Sequence, residues 1–98
     1  MTRIVMVRQF LKSGMADEFD AAFSLHRELA SAQTGFIALR RFDAGPERFG
    51  SEVLVVAEFE TEAHLRAWRA SEAHAVLAKK YQALWSRDPV TEFFSARE

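Results

Sequence analysis

At 98 residues the chain has room for one domain and a modest core, so nine Phe and two Trp within a 49% hydrophobic composition are a heavy apolar load. Thirteen basic against fourteen acidic residues, a formal charge of −1, leave no cationic stripe for a phosphate backbone, which excludes nucleic acid as an expected partner. The absence of cysteine removes disulfides, thiolate metal sites and thiol catalysis, and fits a reducing, cytoplasmic compartment.

Met1-Thr2-Arg3-Ile4-Val5 runs directly into a strand-like pattern, without the apolar stretch and cleavage site of a signal peptide. No apolar run reaches membrane-spanning length, so no membrane partner is expected. Residues 3–11 are rich in β-branched and apolar side chains, and Lys12-Ser13-Gly14 stops them as a turn does. From Met15 to Gln33 the period changes. Phe19, Ala22, Phe23, His26, Leu29 and Ala30 form one stripe, with Asp17, Asp20, Arg27 and Ser31 off it, which predicts an amphipathic helix closed at Thr34-Gly35. Phe36 to Phe42 reads as a second strand, residues 43–50 as a polar loop, and Glu52 to Glu60 as a third strand. Thr61 is the expected N-cap of a short helix carrying Leu65 and Trp68. Ser71 is the cap of another helix running to about Trp85, with Leu77, Tyr81 and Leu84 on one side. Asp88-Pro89 then opens a closing strand over Val90 to Ser95, since proline is tolerated at a strand's start.

The order predicts an α+β, ferredoxin-like βαββαβ domain, with a four-stranded antiparallel sheet and the helices on one face. Val53, Val55, Ala57 and Phe59 point one way in the third strand, yet Leu54 and Val56 on the other side are also apolar. In the first strand Val5 and Val7 oppose Ile4, Met6 and Phe10. A sheet solvated on one face alternates more cleanly than this. A second copy is the economical cover, so a homodimer is expected, with Val56 on the shared face. Arg8 and Glu58, on the same side, are expected to pair across the sheet and set the register of that interface.

Three histidines and no His-x-x-x-His spacing argue against a metal centre. His74, three residues after Ser71, falls in the first turn of its helix, where the positive end of the helix dipole keeps an imidazole neutral, as a general base requires. The structural alternative is that it caps and packs the helix start. His26, on the apolar stripe, is a second candidate base or a core histidine with one satisfied hydrogen bond. His64 is expected to face outward and is given no role.

The stretch from Glu58 to His74 contains His64-Leu65-Arg66-Ala67-Trp68 and Ser71-Glu72-Ala73-His74. It resembles the second half of antibiotic biosynthesis monooxygenase domains, which carry a His-Leu-x-x-Trp/His core and a Ser/Thr-x-x-His helix start. Gly14 before the first helix and Gly35-Phe36 at the second strand agree. The resemblance implies a dimeric α+β barrel with a pocket between sheet and helices, for which Phe59, Trp68, Tyr81 and Phe23 are the expected lining. It implies a monooxygenase that needs no bound cofactor and acts on a small aromatic or quinol-like substrate, for which His74 or His26 would supply the base. Two other readings stay open: a non-catalytic dimeric binding or accessory protein, and a haem-binding oxygenase with atypical ligands. The Asn, Trp and His that the haem branch uses fall at Val7, Phe59 and Ala78 in this chain.

Overall fold

A computed structural model describes residues 1–43 and 51–97. The polar loop expected over residues 43–50 lies, beyond Asp43, outside the described residues. The described elements run in the order β1 (Arg3–Leu11), α1 (Ala16–Ser31), β2 (Phe36–Asp43), β3 (Glu52–Phe59), α2 (Glu62–Arg69), α3 (Glu72–Gln82) and β4 (Trp85–Ser95). The strands form one antiparallel sheet in the order β2-β3-β1-β4, the ferredoxin-like arrangement. No helix among the described residues is long and apolar enough to cross a membrane.

Strand periodicity divides the sheet into two faces. Val5, Leu39, Val53, Val55, Ala57 and Phe59 are buried, together with Phe19, Ala22, Leu65, Trp68, Leu77 and Tyr81 from the helices. The helices therefore cover this face. On the opposite face Ile4, Met6, Phe10, Leu54 and Val56 stay partly exposed, and Phe42, Val90 and Phe94 are exposed.

Two chain turns rest on glycine. Gly14 and Gly35 have φ of +78° and +82°, in the left-handed region that a side chain resists. Gly35 has a second constraint, because a Cβ there would run into the imidazole of His64. His64 is thus half-buried against the β2 turn, with Nδ1 2.9 Å from the Thr61 hydroxyl, instead of facing outward.

The last helix ends at Gln82, and β4 begins at Trp85, not Val90. Trp85 pairs with Leu11, and its indole N–H donates to Gln9 Oε1 at 2.8 Å, which holds this segment in the sheet. Between Arg8↔Val90 and Phe10↔Arg87, β4 carries one residue more than β1, so Asp88-Pro89 sits in a bulge on an edge strand. The missing proline N–H costs no ladder hydrogen bond there.

The expected pairing of Arg8 with Glu58 does not form. Register places Arg8 opposite Leu54 and Glu58 opposite Ile4, a separation of roughly 14 Å along the strands at about 3.4 Å per residue. Arg8 instead lies 3.7 Å from Glu52, and Glu58 accepts a hydrogen bond from the Thr2 hydroxyl at 2.6 Å. Both remain on the uncovered face, but not as a pair.

Candidate functional site

Local sequence brings two histidines against one indole. Ser71 takes an extended conformation and caps α3, its hydroxyl accepting from the His74 N–H at 3.1 Å and donating to the Trp68 carbonyl at 2.7 Å. This fixes His74 in the first turn, its ring edge-on to Trp68 at 5.2 Å. His26 comes from the buried stripe of α1 and lies nearly parallel to the same indole, 6.0 Å away. Its Nδ1 is 2.9 Å from the Tyr81 hydroxyl, which reaches down from α3.

Between these side chains and the sheet lies a cavity of about 130 Å³. The sheet supplies Val7, Gln9 and Val55 to its wall. α1 supplies His26, and the end of α2 supplies Arg69. His74, Leu77, Ala78 and Tyr81 come from α3, and Trp85, Pro89 and Thr91 from β4. A smaller space of about 40 Å³ shares Val7, Val55, His26, Arg69 and His74, and adds Trp68. On the outer side of Arg69 a surface recess of about 250 Å³ is lined by Arg3, Glu62, Leu65, Arg66 and Phe93. The β4 bulge bears directly on this site, because Gln9 and Pro89 both lie in the cavity wall where the two strands fall out of step.

Both imidazoles are biased toward the neutral form, chiefly by burial. Desolvation lowers the pKa of His26 to about 4, with the nearby His74 and Arg27 adding to the shift. His74 is lowered as well, first by desolvation and then by the positive charge of Arg69. Burial pushes the Tyr81 phenol well above its ordinary value, against a smaller opposing pull from Arg41, so its proton stays on. The cavity thus offers imidazole nitrogen biased to the neutral form, a phenol hydroxyl and an amide, with the Arg69 guanidinium and Thr91 at its wall and apolar side chains between them. Such a setting can accept a proton from a weak acid and hydrogen-bond the anion left behind.

His74, His26 and Tyr81 are brought to one cavity, and Trp68 to its smaller neighbour. Phe59 and Phe23, expected in the lining, are not part of it. Phe59 is completely buried, 6.5 Å behind Trp68 and edge-on to Phe36, and so belongs to the core. Phe23 turns toward the guanidinium groups of Arg27 and Arg41, at 5.3 and 5.7 Å, on the α1 flank. Among the haem-branch positions, Val7 and Ala78 do reach the cavity but bring only apolar atoms to it. No three metal-ligating side chains come together among the described residues.

Gln9, Arg69 and Trp85 escaped the sequence reading. Gln9 is a polar residue only 2% exposed within an apolar strand, and that mismatch was the available signal. The indole nitrogen of Trp85 is donor-only, so the Gln9 oxygen must face it and the amide NH₂ is the group left over.

The model of a family described as antibiotic biosynthesis monooxygenase matches residues 2–80. No curated protein matches. Among solved structures, Rv0793 from Mycobacterium tuberculosis superposes with a TM-score of 0.85 at 12% identity, covering 100% of this chain and 97% of that one. SnoaB from Streptomyces nogalater, described as a cofactor-independent oxygenase, gives 0.83 at 18% identity over 100% and 96%. NE2512 from Nitrosomonas europaea, of unknown function, gives 0.78 at 24% identity over 99% and 93%. At these identities the likeness establishes the shared fold.

Proposed function

The chain belongs to the antibiotic biosynthesis monooxygenase family, and from that premise we propose that it oxygenates a small aromatic or quinol-like substrate without a bound cofactor, working as a homodimer. The observation that carries this reading is that His74 and His26, both biased to the neutral form, share one cavity with the Tyr81 hydroxyl. Its volume, about 130 Å³, compares with cavities that admit a single benzene ring. That size also weighs against haem, which carries four pyrrole rings.

His74 is the general base in this proposal. It is half-buried and shares the wall of the smaller space with Arg69. It removes a phenolic proton, and the resulting electron-rich anion gives electrons to oxygen directly. A C–O bond then forms to give a ring hydroperoxide. Its O–O bond breaks as the ring carbon loses its hydrogen, giving a new carbonyl and water. A quinol plus O₂ thereby becomes a hydroxyquinone plus water, the substrate supplying all four electrons. The His26–Tyr81 pair orients the ring: with Tyr81 donating to Nδ1, His26 carries its proton on Nε2 and acts as a donor to the anion.

Oxygen uptake with substituted hydroquinones, measured with and without a chelator, tests the reading. Uptake unaffected by chelator is expected. His74→Ala should lower it at least tenfold, since a general base contributes about a hundredfold or more, with the melting temperature nearly unchanged. Binding without uptake across the series would instead favour a non-catalytic binding protein of the same fold.

The homodimer rests on the uncovered sheet face. Ile4, Met6, Leu54 and Val56 at its centre, with Phe42 and Phe94 at 44% exposure toward its sides, form an apolar surface that the chain's own helices do not cover. Such a surface on a small domain marks an association site. Arg8 and Glu58 lie on it as separate charges, each with its own partner.

A further inference from the structure

We propose that the aromatic substrate carries a carboxylate, and that Arg69 grips it at the junction between the inner cavity and the outer recess. The inference deepens the oxygenase reading and rests on it for the identity of the ring. Size is the first argument. The inner cavity takes one ring, so any substituent must extend outward. Arg69 is common to the walls of the cavity, its smaller neighbour and the 250 Å³ recess.

Charge is the second argument. Three guanidinium groups, from Arg3, Arg66 and Arg69, meet one carboxylate in the recess, that of Glu62. Glu62 is already shared, 3.7 Å from Arg3 and 3.6 Å from Arg66. Among the described residues no carboxylate lies within ion-pairing distance of Arg69. Its guanidinium rests 5.1 Å from the Phe93 ring, which is also flanked by Arg3 at 5.9 Å. Stacking of this kind holds the planar fork without using its N–H donors. An oriented guanidinium with free donors, beside a ring-sized cavity and in a positive recess, matches the two oxygens of a carboxylate.

Binding under anaerobic conditions, where no turnover is possible, tests the site. The probes are hydroquinone, 2,5-dihydroxybenzoate and 2,5-dihydroxyphenylacetate. At least one acid should bind about tenfold or more tightly than hydroquinone, as expected of a charge-assisted contact. That preference should shrink with added salt in the unaltered protein. In Arg69→Gln the ratio of acid to hydroquinone affinity should fall to near one, and Arg69→Lys should restore part of it. The proposal is overturned by acids that bind no tighter than hydroquinone, by a preference that survives Arg69→Gln, or by failure of all three probes to bind. The two readings fail separately. Acids that bind through Arg69 but are never oxygenated would leave the anion site standing and remove the oxygenase. Oxidation of hydroquinone with no acid preference would do the reverse.

Discussion

His26 makes the fold sensitive to acid. Its imidazole titrates near 6.5 in the unfolded chain and near 4 in the fold. Between those values the unfolded chain holds the extra proton, so stability falls as pH falls. The contribution is fully present above about pH 6.5 and is lost progressively toward pH 4, about 3 kcal/mol at full extent. In urea titrations at pH 7 and pH 4.5, His26→Leu should flatten this dependence. It should also cost about 1–2 kcal/mol at pH 7, because the buried Tyr81 hydroxyl loses its partner. A wild-type stability as insensitive to pH as the variant's would show that His26 is not held neutral by burial. His74 has a different lever. Arg69→Gln should raise its midpoint in an NMR titration, since the Arg69 charge is the second cause of its lowered pKa. An unmoved midpoint would mean that solvent screens that charge. Both histidines were legible in the sequence, one by its place on an apolar stripe and the other by its spacing from a capping serine. Gln9 was not, because its role depends on an indole 76 residues away, and strand patterning carries no information about such a pairing.

Caps were the most readable features at the scale of elements. Thr61 and Ser71 both cap as expected, each accepting from the N–H three residues on. Ser71→Ala should destabilise the protein by about 1 kcal/mol, measured by chemical denaturation. It should also loosen His74, so that turnover falls along with stability. A variant with full stability and activity would show the Ser71 bond to be dispensable. The path of β4 was hidden. Proline usually marks a strand boundary, and Asp88-Pro89 was read that way, but an edge strand can absorb it as a bulge and continue. The aromatic positions misled for a related reason. Phe59 and Trp68 are consecutive in one stack, and periodicity shows which residues face inward without showing which of them meet empty space.

For the whole molecule, the two-faced sheet was already visible in the alternation of β1 and β3, and the structure leaves its outer face uncovered as that pattern implied. The proposed homodimer follows from this. Sedimentation at low micromolar concentration should give twice the 11.2 kDa chain mass, and Val56→Lys should reduce it to the monomer, because an ammonium at the centre of that face is costly to desolvate. A soluble wild-type monomer would remove the proposal. The partners of Arg8 and Glu58 were beyond the sequence. Both residues were assigned to the correct face, but cross-strand pairing depends on register, and no residue pattern in these strands specified it.

Both tryptophans of the chain border the same interior space, Trp85 on the main cavity and Trp68 on its smaller neighbour. The protein's entire indole emission therefore originates beside the site, and it needs no attached label to serve as an optical probe. A ring entering the cavity displaces whatever solvent is there and arrives within contact range of the Trp85 wall. Entry of a quinol should change the emission intensity in a saturable way, and its conversion to an electron-poor quinone should quench that emission. Binding and turnover would then be read from one trace in a single stopped-flow experiment.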